Sequence, residues 1–381
     1  MSRYIRTLSL SDVHLGTNIG TTPHILKNLR NLLSEAALQE INLLCIVGDY
    51  WDEVQLLPDA NVILIKIEIV RLLKICKKRD IVLRVLEGTK SHDRGQSKLF
   101  ETLNEITGIN ADLRYVDTLS IEFNDKLGIT ILYVPDEWRS DNETTKQEVI
   151  ELLDQNNLEQ VDFTLLHGCM PYQAPKGIKS IPVHDPDFYL SITRKYVYIG
   201  HVHLSSVYDR ILANGSFDRL SHNEESPKGM WYTECDLDGF TDTIKFIENK
   251  NASIFKTIDI INISKEEAEK AIMTVVNLHY SQIGPKGIPC FIRIKMNKND
   301  YNLDIYNSCC KSFPLIKWSN KIVSESNTQA NTITLSTYKP IAINDGSIIG
   351  LMKNRLHGFG LDENLINPVL DELMRIKSTI K

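Results

Sequence analysis

The sequence predicts an α/β fold in which short buried strands alternate with amphipathic helices. Strand Tyr4 to Leu10, a helix from about His24 to Glu40 and strand Leu43 to Val47 form a βαβ unit at the start of the chain. A second helix, Ala60 to Lys78, leads into strand Ile81 to Leu86. Polar residues follow nearly all predicted strands, and α/β sheets carry their ligand sites beyond the strand ends.

Three domains are predicted. Strands at 129–134, 163–166 and 196–199 continue the alternation, so 1–240 is the main domain. Beyond it, Ser264 and Glu267 form a capping box that starts a helix inside a small α+β domain, 241–323. A polar linker and a helical segment, 324–381, complete the chain.

The composition is that of an ordinary globular protein. The 381 residues are 42% hydrophobic and 24% charged, and the formal charge is -6. No apolar run is long enough to span a membrane, and no signal peptide is visible, so we expect a cytoplasmic protein. The seven cysteines contain no CxxC pair, which favours free thiols over a zinc finger.

Histidines and aspartates are concentrated at the strand ends. A single His or Asp there is more often a turn or cap residue, but five of the ten histidines occupy such positions. Imidazoles and carboxylates without thiolates suit divalent metals such as Mn²⁺. The candidate residues are Asp12, His14, Asp49, His92, Asp93, His167, His201 and His203.

In order, these residues read Asp-x-His, Gly-Asp-x-x-Asp, His-Asp, His-Gly and Gly-His-x-His. That series resembles the calcineurin-like metallophosphoesterase pattern. The resemblance implies a β-sandwich flanked by helices and a site for two divalent metal ions, Mn²⁺ or Mg²⁺. The first ion would take Asp12, His14 and His203, the second His167 and His201, with Asp49 as the bridge. His92 would be the catalytic histidine and Asp93 its orienting partner.

The third motif departs from the family. Members of the family usually read Gly-Asn-His here, and their Asn binds the second metal. This chain instead reads Gly88-Thr89-Lys90-Ser91-His92. Thr89, Ser91, a backbone carbonyl or water are the alternatives for the missing ligand. A scaffold with a decayed metal site is a further alternative.

The text after the last motif, Asn214-Gly215-Ser216 with Arg219 and later Lys228-Gly229, resembles SbcD-type DNA nuclease subunits. That resemblance implies DNA as substrate, an SMC-like coiled-coil ATPase as partner and a homodimer. The segment 281–321 carries a local charge of +5, which suits a DNA-binding cap. Its seven cations are Lys286, Arg293, Lys295, Lys298, Lys311, Lys317 and Lys321. A solvated face, and a small-molecule phosphodiesterase or phosphatase, are the alternatives.

Overall fold

The computed structural model describes residues 4–17, 21–55, 59–136, 139, 141–174, 183–239, 242–283, 287–323 and 367. The chain divides into two compact units, Met1–Val323 and Ser324–Lys381. The predicted linker and C-terminal helical segment therefore lie outside the described residues, apart from Asn367.

Strands and helices alternate through the first unit. The strands are β1 Tyr4–Leu10, β2 Leu43–Val47, β3 Val82–Leu86, β4 Leu113–Val116, β5 Ser120–Asn124, β6 Ile129–Val134, β7 Val161–His167, β8 Thr193–Gly200, β9 Ser206–Tyr208, β10 Ile211–Ala213, β11 Gly229–Asp236, β12 Asp242–Glu248, β13 Ile254–Asp259, β14 Cys290–Asn297 and β15 Ile316–Val323. The α-helices are α1 Thr22–Leu32, α2 Ala60–Arg79, α3 Leu99–Ile106, α4 Asn142–Gln155, α5 Pro186–Ile192, α6 Lys265–His279 and α7 Asp300–Ser312.

Two mixed sheets make up the main body. The first has the strand order β12-β11-β1-β2-β3-β4, and the second has the order β5-β6-β7-β8-β10-β9. In the first sheet β1 to β4 are parallel, and in the second β6, β7, β8 and β10 are parallel. The fully buried, β-branched and leucine-rich text of β2 and β3 is typical of strands covered on both faces.

The two sheets pack face to face. Val47 and Leu86 of the first sheet share one buried cluster with Phe163 and Tyr198 of the second. Helices α1 to α3 cover the outer face of the first sheet, and α4 and α5 cover that of the second. The α/β prediction, and the sandwich flanked by helices, are confirmed.

A third, smaller sheet lies near the end of the first unit, Met1–Val323. Its strands β13, β14 and β15 are all parallel, because α6 and α7 carry the chain back between them. The arrangement is therefore α/β around this sheet rather than the α+β expected. The predicted capping box of Ser264 and Glu267 is present at the start of α6.

Two predicted boundaries differ from the structure. The helix expected to reach Glu40 ends at Leu32, and the hydroxyl of Ser34 accepts a hydrogen bond from the Ala37 amide in the turn that follows. Serine offers the backbone this local alternative to helix. Strand β12 lies beyond the predicted domain boundary at residue 240, yet it pairs with β11 in the first sheet.

A polar group that we call the Arg84 cluster lies between the sheets and is buried except for the partly exposed Asp112. Its members are Arg84, Asp112, Glu122, Asn124 and Tyr133. Arg84 Nε donates to Glu122 Oε2 at 2.8 Å, and Tyr133 Oη donates to the same oxygen at 2.6 Å. Each carboxylate in this cluster therefore faces a hydrogen-bond donor.

The cysteines are free thiols, as predicted, and Cys310 is more accessible than the other six. Across the described ranges, no helix combines the length and the apolar character needed to cross a bilayer.

Candidate metal centre

The candidate metal centre lies where parallel strands of both sheets end. Asp12 and His14 follow β1, and Asp49 follows β2. His167 is the last residue of β7, and His201 follows β8. Because parallel strands end at the same edge of their sheet, and the two sheets face each other, these loops converge. We call the six predicted metal ligands, which also include His203, the strand-end cluster.

Four residues of this cluster have left-handed backbone conformations. The φ angles are 49° at Asp12, 50° at His14, 50° at Asp49 and 100° at His201. Such conformations cost about 1–3 kcal/mol each, and they gather at functional sites where the surrounding structure holds them. The backbone is therefore shaped here to aim side chains rather than to extend a strand.

Asp12, His14 and His203 form one group of potential ligands. The Nε2 atoms of His14 and His203 lie 3.1 Å apart. Asp12 Oδ1 is 4.0 Å from the first nitrogen and 3.7 Å from the second. Asp12 and His14 are buried and His203 is partly exposed, so the group opens towards solvent on one side.

Asp49, His167 and His201 form a neighbouring group. Asp49 Oδ2 lies 3.3 Å from His167 Nε2 and 3.9 Å from His14 Nε2. The same carboxylate oxygen therefore faces both groups. A third set of possible ligands, His14, Asp49 and His92, overlaps them. All six predicted metal ligands are thus brought together.

Hydrogen bonds orient three of the imidazole rings from behind. The bonds join His14 Nδ1 to Asp52 Oδ1 at 2.9 Å, His203 Nδ1 to Glu224 Oε1 at 3.1 Å, and His167 Nδ1 to the Val47 carbonyl at 2.8 Å. In each ring Nε2 is left to face the cluster. Metal-binding histidines usually have such a partner on the other nitrogen.

The charges of the cluster depend strongly on one another. Burial opposes ionisation of Asp49 and His167, but their mutual attraction outweighs it. The pKa of Asp49 is held well below its usual range, and the pKa of His167 is raised well above that of an ordinary histidine. Burial likewise opposes charge on His203 and Glu224, yet their hydrogen bond raises the pKa of His203. The same hydrogen bond, together with the charge of Lys228, lowers the pKa of Glu224 to about 2.

His92 lies beside the first group, with its ring centroid 4.8 Å from that of His14. Its Nδ1 is 2.7 Å from the backbone carbonyl of Asp52 and 3.7 Å from that residue's carboxylate. Asp93 lies elsewhere: its carboxylate accepts from the amides of Asp49, Gly88 and Trp51, at 3.0, 2.8 and 2.9 Å.

Asp52, rather than Asp93, therefore takes the position beside His92. Asp93 instead ties together the two loops that carry Asp49 and Gly88. The sequence motif Gly-Asp-x-x-Asp contains Asp52, so its position was visible in the text although its role was not assigned.

Close backbone approach explains two glycines of the motifs. A Cβ on Gly48 would lie 2.2 Å from His167 Nδ1, and one on Gly88 would lie 2.1 Å from the Asp49 amide nitrogen. Gly48 also has a φ of 79°. A side chain at either position would displace a predicted ligand.

The donor set fits a divalent cation. Its groups are imidazole nitrogens and carboxylate oxygens at the strand ends, and ligand atoms within each group lie within 4.8 Å of one another. This mixture suits borderline ions such as Mn²⁺ and Zn²⁺. These buried His and Asp side chains could therefore hold a metal ion.

No family model and no curated protein matches the chain. Among solved structures, TT1561 of Thermus thermophilus matches 65% of this chain and 99% of its own, with 10% identity and a TM-score of 0.38. Another crystal structure matches the same shares with 14% identity and a TM-score of 0.37. Similarities this weak assign neither a family nor an activity.

Proposed function

We propose that the chain is a two-metal phosphodiesterase of the calcineurin-like superfamily, and that it cuts DNA as an SbcD-type nuclease subunit. The observation that carries this proposal is the position of Asp49 Oδ2, which faces His14 Nε2 at 3.9 Å and His167 Nε2 at 3.3 Å. A carboxylate shared between two ligand groups is what a pair of adjacent metal ions requires.

Asp12, His14 and His203 would hold the first ion, and His167 and His201 the second, with Asp49 between them. We propose Mn²⁺ or Mg²⁺. Bound ions of this kind stabilise the negative charge that develops on phosphoryl oxygens.

His92 supplies a proton in this proposal. A carbonyl oxygen only accepts hydrogen bonds, so the contact with Asp52 assigns a proton to His92 Nδ1. The remaining nitrogen, Nε2, is the atom that can protonate a leaving oxygen. The side chain is 36% exposed, so a substrate can reach it.

The small sheet supports DNA over a small molecule as the substrate. In β14, Ile292, Ile294 and Met296 pack under the helices, so the alternating Arg293 and Lys295 point to the face without helices. Strand register places Lys317 beside Phe291 and Lys321 beside Lys295 on that same face. This row of cations is suited to a phosphate backbone.

The basic face also adjoins the loop that supports the metal centre. The rings of Phe255, on the small sheet, and His222 are in contact, with their centroids 5.2 Å apart. Arg219 Nη1 donates to the Ser253 carbonyl at 3.1 Å. Both His222 and Arg219 lie in the loop that contains Glu224, the partner of His203. The remaining parts of the proposal, an SMC-like ATPase partner, a homodimer and a cytoplasmic location, rest on the sequence resemblance.

The test compares DNA with a nitrophenyl phosphodiester, both with Mn²⁺. Reversing charge with Lys317→Glu and Lys321→Glu should slow cleavage of end-labelled duplex DNA by roughly tenfold at moderate salt. Hydrolysis of the nitrophenyl substrate should not change. The matched control is Lys265→Glu with Lys270→Glu, on the exposed side of α6 that covers the other face. Wild-type hydrolysis of the nitrophenyl ester without DNA cleavage, even with the ATPase, would favour the small-molecule enzyme.

A further inference from the structure

Thr89 occupies the position at which the sequence departs from the family. Its Oγ1 lies 3.1 Å from Asp49 Oδ2, 3.2 Å from His201 Nδ1 and 3.4 Å from His167 Nε2. Its backbone amide donates to Asp49 Oδ1 at 2.6 Å, which holds the residue in place. The hydroxyl therefore faces all three members of the second ligand group.

The two extra residues of the motif are accommodated in a turn. The Thr89 carbonyl accepts from the amides of His92 and Asp93, at 2.9 and 3.0 Å. Lys90 and Ser91 lie within this turn and are exposed. Thr89 thus follows Gly88 directly, as the family's Asn does, while His92 still reaches the first group. The Thr89 carbonyl already accepts the two hydrogen bonds of the turn, and Ser91 lies outside the cluster, so neither takes the place of the missing ligand.

The distances around Thr89 Oγ1 match those expected among ligands of one ion. Ligand atoms about 2.1 Å from a common octahedral cation lie about 3 Å from their neighbours. The separation of Asp49 Oδ2 from His167 Nε2, 3.3 Å, belongs to the same range. We propose that Thr89 Oγ1 is a ligand of the second metal ion, and that Asp136 supplies negative charge beside it.

Asp136 follows β6, the neighbour of β7 in the second sheet. Its residue is 5% exposed, and Oδ1 lies 3.7 Å from His201 Nδ1, the same nitrogen that faces Thr89. No sequence motif indicated this residue. Its buried carboxylate therefore adds negative charge next to a predicted ligand of the second ion.

The oxygen ligands of the second group set its metal preference. Hydroxyl and carboxylate oxygens are hard ligands that suit Mg²⁺ and Mn²⁺. With the imidazoles of His167 and His201, these oxygens form a mixed donor set that suits Mn²⁺. The inference rests on the proposed two-metal site, but not on DNA as the substrate.

The test is a titration of metal-free protein with Mn²⁺. Calorimetry and electron paramagnetic resonance of the bound ions monitor the titration. Thr89→Val keeps the branched shape and removes the hydroxyl. It should weaken binding of the second ion by at least roughly 10- to 100-fold, which is the loss when only a hydrogen-bond partner of a ligand is removed, and should leave binding of the first ion unchanged. Asp136→Asn should weaken the second ion by about tenfold.

Three further variants make the assignment specific. Thr89→Ser keeps the hydroxyl and should bind both ions as the wild type does. Thr89→Asn restores the family's ligand and should bind the second ion at least as tightly. Ser91→Ala, an exposed hydroxyl two residues away, should change nothing.

Equal affinity of Thr89→Val and the wild type for the second ion would overturn the inference. A wild-type protein that binds fewer than two ions would overturn it too. If Thr89→Val loses the second ion while the wild type cuts no DNA, the ligand assignment is supported and the nuclease proposal fails.

Discussion

The strand-end cluster and the Arg84 cluster are both largely buried, but their donors and acceptors are matched differently. In the Arg84 cluster, Glu122 accepts from Arg84, Tyr133 and Asn124, at 2.8, 2.6 and 2.9 Å. Arg84 Nη1 also donates to Asp112 Oδ1 at 2.9 Å. This cluster is complete with the chain's own atoms.

The strand-end cluster leaves acceptors facing one another. His14 and His203 each direct Nδ1 to a carboxylate, which only accepts when ionised, so these nitrogens carry protons. Their Nε2 atoms then face each other at 3.1 Å with lone pairs. A proton or a metal ion must lie between them. Buried polarity alone therefore does not mark a site, whereas mismatched acceptors do.

The largest expected effect comes from Asp49→Asn. Removal of the shared charge should slow Mn²⁺-dependent hydrolysis of a nitrophenyl phosphodiester by roughly 10³-fold, the scale for losing one charge-stabilising group. Asp209→Asn is the matched control, because Asp209 has a φ of 51°, close to the 50° of Asp49, and is exposed. An active Asp49→Asn enzyme would remove the distinction between the two clusters.

Glu122→Gln should act on stability alone. Breaking its buried pair with Arg84 should lower the free energy of unfolding by about 3 kcal/mol at neutral pH, without changing Mn²⁺ stoichiometry. Glu269→Gln, in an exposed pair with Lys265, should change it by less than about 0.5 kcal/mol. Denaturant unfolding measures both changes in free energy, provided that the dependence of the unfolding free energy on denaturant concentration is the same in each variant. Loss of Mn²⁺ binding in folded Glu122→Gln would contradict a purely structural role.

The same carboxyl predicts a pH dependence. Burial opposes ionisation of Glu122, but the hydrogen bond from Arg84 outweighs it and lowers the pKa to about 2. A depressed folded pKa stabilises the fold above the unfolded value of about 4.3, and that contribution is lost as the pH falls towards 2. The stability difference between wild type and Glu122→Gln should therefore shrink over that interval. A difference independent of pH would contradict the ionised pair.

His92→Ala should give a smaller loss of rate and should keep the metal. General-acid groups contribute about 10²-fold or more, so cleavage of DNA should slow by about 10²-fold while Mn²⁺ binding is retained. A nitrophenyl ester, whose leaving group needs no proton, should be affected much less. Equal losses on both substrates would contradict the assignment of His92 as the proton donor.

Local patterns in the sequence predicted much of the fold and the cluster. The bounds of β1 and β2 agree with the prediction, because the alternating apolar positions of β1 and the apolar run of β2 both end at polar residues. Asp12 and His14 were predicted because both follow such a strand. Residues whose role depends on tertiary contacts were not predicted. Asp136 matches no motif. Only the folded loops show that Asp52, and not Asp93, lies beside His92.

The most direct test is anomalous diffraction from crystals grown with Mn²⁺, recorded at the manganese edge. We expect two peaks, one among Asp12, His14 and His203 and one among Asp49, His167 and His201. Their presence would establish that the mismatched acceptors are completed by cations. Absence of both peaks at saturating Mn²⁺, or peaks only elsewhere, would contradict the account.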